Sequence, residues 1–381
     1  MKVYFDNAAT TAIDPDVFEA MKPYMLEHFG NPSSIHSHGR QVRTGIERSR
    51  KMVADLLNAA PAEIFFTSGG TEADNTAIRC TVSDKGIKHV ISSKIEHHAV
   101  LHTVESLVKK GVKVSYVELD DKGLVNYDHL ESLLKNNPNS LVTLMHANNE
   151  IGNLLDIERV GEMCDEYNAI FHSDTVQSMA HYVHDTRKLN LDFAVGSAHK
   201  FHGPKGVGFL YINHENKIHP FIHGGAQERN MRGGTENVYG IVGLAKAMEI
   251  AYSYMDSHRK HIEGLKTHMI EKLKASIDGV AFNGVSNELD KSLYTVLNVC
   301  LPPNDDNDML LFNLDIEGVS VSGGSACSSG SSIGSHVLAE LNRDQNRGAI
   351  RFSFSKYNTL EEVDYAVEKL AQLYQPETTS A

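Results

Sequence analysis

The 381-residue chain predicts an α/β protein: a large domain on a doubly wound, mainly parallel sheet, with a smaller α+β domain beside it. Three observations carry that expectation. Short apolar runs alternate with helical periodicities between about residues 64 and 212, which is the rhythm of parallel crossovers. A long, nearly glycine-free helical span, 237–276, then separates this region from a second set of strands. The length also exceeds what one ordinary hydrophobic core covers. The expected division is 15–257 for the large domain, with 1–14 and 258–381 forming the small one.

The elements follow in order. Asn7–Thr11 reads as an irregular arm, and Asp14-Pro15 starts a helix carrying Val17, Met21 and Met25 on one face. Gly30-Asn31-Pro32 stops it, and a second helix runs from about Arg40 to Asn58. Ile64–Phe66 is a buried strand leading through Ser68-Gly69-Gly70-Thr71 into a helix. That order of strand, glycine turn and helix start offers backbone N–H groups and a positive dipole end to a phosphate. It is not a Walker loop, because no Gly-Lys-Ser/Thr follows. Strands are expected at 90–93, 112–119, 141–146, 169–172, 192–196 and 206–212, then at 295–301, 319–321 and 350–354. The helical span 237–276 should break near Ser257, and Thr359 with Glu362 forms a capping box for a last helix.

Composition narrows the function classes. A net charge of −13 without a basic cluster argues against nucleic acid as the main partner. Charge appears within the first residues, so no signal-peptide core is expected, and no run approaches the length of a membrane span. The four cysteines, Cys80, Cys164, Cys300 and Cys327, are scattered without a paired spacing, so neither a zinc knuckle nor a disulfide framework is indicated. A cytoplasmic location is the expectation.

The chemistry concentrates in 171–205. One apolar run delivers Asp174 and Gln177; the next delivers Ser197, His199 and Lys200, before the breaker Gly203-Pro204. Ligands of open α/β sheets sit beyond the carboxyl ends of the strands. A lysine at one strand end and an aspartate at its neighbour's is the pairing needed by pyridoxal phosphate: the lysine forms the Schiff base, and the carboxylate keeps the pyridine nitrogen protonated. Alone, such a lysine is an ordinary solvated residue and such an aspartate an ordinary turn residue. His199 is expected on the opposite side of an extended chain from Lys200, as a phosphate or packing contact. The segment 322–335 holds seven serines and four glycines around Ala326, Cys327 and Ile333, the composition of a flexible loop carrying an accessible thiol.

Eight blocks stand in register: FTSGGTEADN (66–75), EHHAV (96–100), MHANNEIG (145–152), HSDTVQ (172–177), SAHKFHGPKG (197–206), HGGAQERNMRGGTEN (223–237), SGGSACSSGSS (322–332) and IRFS (350–353). In that order the chain resembles the cysteine desulfurases, the NifS/IscS-like enzymes of the class V aminotransferase group, from Phe5 to about Leu373. The resemblance implies the type I pyridoxal phosphate-dependent transferase fold. It implies that Lys200 carries the cofactor and moves the substrate Cα proton, and that Cys327 is the nucleophile. It implies that Asp174 pairs with the ring nitrogen, Gln177 with the ring hydroxyl, and that His97 stacks on the ring and shuttles protons. Gly70, Thr71, Ser197 and His199 would hold the phosphate, and Thr235 would reach the phosphate of a neighbouring subunit in a homodimer. Asn149 and Arg351 would hold the substrate carboxylate, with Asn149 also against the cofactor.

The activity so implied takes sulfur from L-cysteine, leaving L-alanine and a persulfide on Cys327 for a sulfur-acceptor protein in iron–sulfur cluster assembly or tRNA thiolation. No resident metal is implied, Cys327 being at most a transient iron–sulfur ligand. IscS-like members dock a U-type scaffold with a longer C-terminal extension than the short stretch after the last helix here, so the resemblance leaves that partner, and the destination of the sulfur, open. The rival readings are a selenocysteine lyase, a class V aminotransferase, which needs no thiol, and a non-catalytic metal or sulfur carrier suggested by 21 histidines and the pair His199 and His202.

Overall fold

The computed structural model describes residues 1–304, 307–323, 334–341, 344 and 346–374. The chain begins with β1 (Val3–Tyr4), α1 (Pro15–Leu26) and α2 (Ser37–Leu56). Asp14 caps α1 by accepting from Asp16 N, and Pro15 fills a first-turn position that needs no donor. The main sheet region follows: β2 (Ile64–Thr67), α3 (Gly70–Asp84), β3 (His89–Ser92), α4 (His98–Val108), β4 (Lys113–Tyr116) and α5 (Tyr127–Asn136). It continues with β5 (Leu141–Thr143), α6 (Ile157–Glu166), β6 (Ile170–Ser173), β7 (Phe193–Ser197) and β8 (Gly208–Ile212).

These strands form one seven-stranded sheet in the order β2-β8-β7-β6-β5-β3-β4. Its centre is parallel, and β5 and β7 are buried along their whole length. Strands covered on both faces are continuously apolar rather than alternating, which is why these runs are short and uniform. The exception is β8, which runs antiparallel to both β7 and β2. The connection 198–207 is too short to carry a crossover helix, so the chain can only fold back. Two successive reversals leave β2 running in the same direction as β7. The carboxyl ends of β2, β3, β5, β6 and β7 therefore meet along one edge.

The helical span divides into α7 (Val238–Ser253) and α8 (Met255–Ser276), breaking at Tyr254 rather than near Ser257. Beyond it come β9 (Ala281–Phe282), β10 (Val296–Pro303), α9 (Leu310–Ile316), β11 (Val319–Ser320), α10 (His336–Ala339), β12 (Arg347–Ser353) and α11 (Leu360–Gln372). Strands β12-β10-β9 make an antiparallel sheet, and β1 pairs in parallel with β11. Thr359 and Glu362 cap α11 reciprocally.

Apolar burial is organised in two main clusters. One joins α1, α2 and α7 to the large sheet through Val17, Ile46, Phe171, Phe209 and Leu244. The other draws Val3 and Phe5 together with Leu265, Met269, Phe352 and Val367. Phe171 is fully buried, and truncating it to alanine should cost about 3–5 kcal/mol.

The fully buried Lys266 on α8 gives the fold a pH signature. Its Nζ donates to Ser292 Oγ at 2.9 Å and to Leu293 O at 3.0 Å, and burial pushes its pKa down to about 7 from the ordinary 10.5, with Glu263 opposing the change. Between these two values the unfolded chain binds the extra proton, so stability from this group rises with pH. In denaturant unfolding, wild type should gain about 2 kcal/mol on Lys266→Met between pH 7 and pH 9. A difference independent of pH would show that Lys266 does not titrate there.

Candidate active site

The common edge of the large sheet opens into a cavity of about 250 Å³. Asp174 enters it directly after β6, and Lys200 enters from a 3-10 turn, Ala198–Lys200, directly after β7. The pairing of Ser173 with Ala194 makes these strand ends adjacent. Gly70, Thr71, His97, Asn149, Gln177, Ser197, His199 and Arg351 line the same space.

Lys200 Nζ donates to Ala8 O at 2.6 Å and Ala9 O at 2.9 Å, and Gln177 Nε2 donates to Ala8 O at 2.9 Å. The arm before α1 is thus a wall of the site, and its carbonyls hold the lysine amine in place. The 3-10 turn also corrects the sequence expectation for His199. The chain is not extended there, so His199 and Lys200 line the same cavity rather than opposite sides. His199 Nδ1 lies 3.2 Å from Thr10 Oγ1. Burial, with Lys200 and Lys205 adding to it, pushes its pKa down to about 4, so the ring is neutral near pH 7.

Asp174 is 4% exposed, and its Oδ1 accepts from Val176 N at 2.9 Å. Burial raises its pKa, opposed by His97, the Val176 N–H and Lys200. A buried carboxylate in that condition is stabilised by a cation delivered into the cavity. His97 caps α4, its Nδ1 accepting from Ala99 N at 3.1 Å. Burial lowers its pKa, Asp174 opposing and Lys200 reinforcing. With Nδ1 used as an acceptor, the neutral ring carries its proton on Nε2.

The anion end of the cavity is built by α3. Gly69, its N-cap, has φ +156° and ψ −178°, a region reserved for glycine, and supplies no capping side chain. The first N–H groups of α3, at Gly70 and Thr71, therefore point out without a side-chain acceptor from the cap. A Cβ at Gly70 would meet Val176 Cγ2 at 2.7 Å, so the close approach requires glycine. A buried acid, an amine and an anion cradle around one cavity fit the ring nitrogen, aldehyde and phosphate of pyridoxal phosphate.

Arg351, on β12, is 1% exposed. Its Nη1 donates to Asn149 O at 2.8 Å and its Nη2 to Asp6 Oδ1 at 2.8 Å, while Nε is buried without a partner among the described residues.

One expected residue lies elsewhere, and one falls outside the described residues. Thr235 lines a separate cavity with Ser68, Gly206 and Arg232. Cys327 falls in 324–333, outside the described residues, but both flanks of that stretch are beside the cavity. Ser322 pairs with Arg351, whose N donates to Ser322 O at 2.6 Å. On the other side, the His336 ring lies 4.5 Å from that of His98, which adjoins His97.

Asp6, Asp74 and the Ala8 and Ala9 carbonyls were not legible as site groups. Carbonyls carry no side-chain signature. Asp74 had one usable signal, a charge among the buried Ala73, Ala77 and Ile78 of α3. The His199 and His202 rings face Thr10 and Ala12 O respectively, and among the described residues no group of three His, Cys, Asp or Glu side chains is placed to hold a metal.

Residues 3–366 match the family described as aminotransferase class-V. The chain is 44% identical over 379 residues to a protein of Dictyoglomus turgidum named cysteine desulfurase IscS, covering 98% of this chain and 94% of that one. The solved structure of a NifS-like protein superposes with a TM-score of 0.89 at 40% identity, covering 98% of this chain and 99% of the other. A structure described as SspA in complex with cysteine does so with a TM-score of 0.81 at 32% identity, over 94% of this chain and 100% of that one.

Proposed function

The chain belongs to the class-V aminotransferase family, and from that premise we propose that the cavity around Lys200 is the active site of a pyridoxal phosphate-dependent cysteine desulfurase. The observation that carries the reading is the delivery of Lys200 and Asp174 from adjacent parallel strands into one cavity with His97 and Arg351. The solved relative bound to cysteine supports L-cysteine as the substrate.

When bound, pyridoxal phosphate supplies an electron sink that acidifies the substrate Cα–H and makes the Cβ–S bond breakable. The protein does the rest. The α3 N-terminus, Ser197 and His199 would hold the phosphate. Asp174 would keep a proton on the ring nitrogen, and Gln177 would be the partner of the ring hydroxyl. Lys200 would take the Cα proton, and His97, with its proton on Nε2 and lining the same cavity, would relay protons and pack against the ring. Asn149 and Arg351 orient the substrate carboxylate, for which a planar fork is the matching shape.

Cys327, as thiolate, bonds to the substrate sulfur while the Cβ–S bond breaks. The persulfide stays on the protein, and the carbon skeleton takes up protons and leaves as L-alanine. The other three cysteines do not suit this role. Cys80, Cys164 and Cys300 are buried, with burial pushing the Cys80 thiol up to about 11 and the Cys164 thiol higher still. Their free state accords with a reducing, cytoplasmic location, and no helix among the described residues is long and apolar enough to cross a membrane.

The two apolar clusters support a large domain over 15–257 and a small one from 1–14 and 258–381. Thr235 lies in a cavity apart from Lys200 within one chain, which suits a residue that completes the phosphate site of a second copy in a homodimer. Sulfur then passes to an acceptor protein serving iron–sulfur cluster assembly or tRNA thiolation.

Cys327→Ser tests the reading. Alanine formation from L-cysteine should fall on the order of 10³-fold, while the cofactor absorbance is retained. Full alanine production with cofactor bound would overturn it.

A further inference from the structure

Arg351 is already held by a carboxylate. A guanidinium takes an incoming carboxylate best along one edge, through two parallel N–H donors. On the Nε–Nη2 edge, Asp6 Oδ1 occupies Nη2 at 2.8 Å, while the Nε donor is buried without a partner among the described residues. Nη1 is taken by Asn149 O. With Arg351 only 1% exposed, an arriving α-carboxylate must contend with Asp6 for the charge.

The backbone of Asp6 cannot retreat. It bridges Ser353, whose N donates to Phe5 O at 2.7 Å, and its own carbonyl accepts from Tyr4 Oη at 3.1 Å. Its side chain is different, being 21% exposed, so a displaced carboxylate has water to turn toward.

We infer that Asp6 is an exchange carboxylate: it neutralises Arg351 in the empty site, yields the guanidinium to the substrate carboxylate, and helps to expel the product by reclaiming it. This rests on the reading that Arg351 receives the substrate carboxylate. The charge count gives the direction. Arg351 with Asp6 is neutral, and a second carboxylate leaves one excess negative charge in a poorly solvated place, where it is bound less tightly than a lone guanidinium would bind it. Asp6 is therefore a positioning residue that tunes affinity for carboxylate ligands.

The test is spectral titration of the holoenzyme with L-alanine, and with ethylamine, which is L-alanine without its carboxylate, alongside KM for L-cysteine. Asp6→Asn, which keeps the size and one oxygen, should tighten L-alanine and lower the KM for L-cysteine roughly fivefold. Ethylamine binding should not change, and Asp6→Glu should restore the wild-type values. Asp6→Ser should shift affinity in the same direction and serves if Asp6→Asn does not fold. Arg351→Lys should weaken L-alanine. If Arg351→Lys weakens L-alanine but neither neutral variant at position 6 tightens it, the exchange role is overturned and the reading of Arg351 stands. If Arg351→Lys leaves L-alanine affinity unchanged, both fail.

Discussion

Replacing Lys200 with alanine lowers alanine formation from L-cysteine by about 10⁴-fold, the upper range for loss of a positioned proton-transfer group. The amine has two jobs in this account, and no neighbour can take over either. It holds the cofactor covalently, and it stands where the substrate Cα proton must go. Ala8 O and Ala9 O accept from it at 2.6 and 2.9 Å, which holds it at the cavity wall. Lys205 is nearby in sequence but does not line the cavity. The measurement is single-turnover alanine production, together with the absorbance of the purified variant. The variant should bind pyridoxal phosphate without the lysine-linked band. Activity within tenfold of wild type would show that the base lies elsewhere.

Asp174→Asn is the second large effect. The carboxylate is 4% exposed, and burial already works against its charge, so its ionised form depends on cations within the cavity. An ion pair with a protonated ring nitrogen is worth about 4 kcal/mol at 4 Å for an effective dielectric near 20. A neutral hydrogen bond nets about 1 kcal/mol. The difference, about 3 kcal/mol, corresponds to roughly 100-fold in rate. Asparagine preserves the shape and the acceptor for Val176 N, so the loss should appear in kcat with the fold intact. An Asp174→Asn enzyme with unchanged kcat would mean that a protonated ring nitrogen is not required.

The large sheet was legible because its central strands are buried on both faces and read as uniform apolar runs. Phe171 and Phe193 are both fully buried there. The reversal at β8 was not legible, since a buried strand carries no mark of its direction; only the length of 198–207 excludes a crossover helix. Asp174 and Lys200 stood out because each directly follows such a run. The placing of His199 failed for a local reason: the chain around His199 and Lys200 was expected to be extended, and instead turns as a 3-10 helix. Asp6 and the Ala8 and Ala9 carbonyls escaped notice because their importance is tertiary. The N-terminal arm meets β12 across more than 340 positions of sequence, as in the 2.8 Å bond from Ala8 N to Ser353 Oγ. Nothing in the composition of Asn7–Thr11 announces that contact.

Everything in the proposed chemistry depends on a covalent bond between Lys200 and the cofactor aldehyde. Borohydride reduction of the holoenzyme, proteolysis and mass spectrometry locate that bond directly. The account predicts a single pyridoxyl-phosphate adduct on the peptide containing Lys200. An adduct on Lys205 or any other lysine, or no adduct from protein that retains its absorbance, would contradict it.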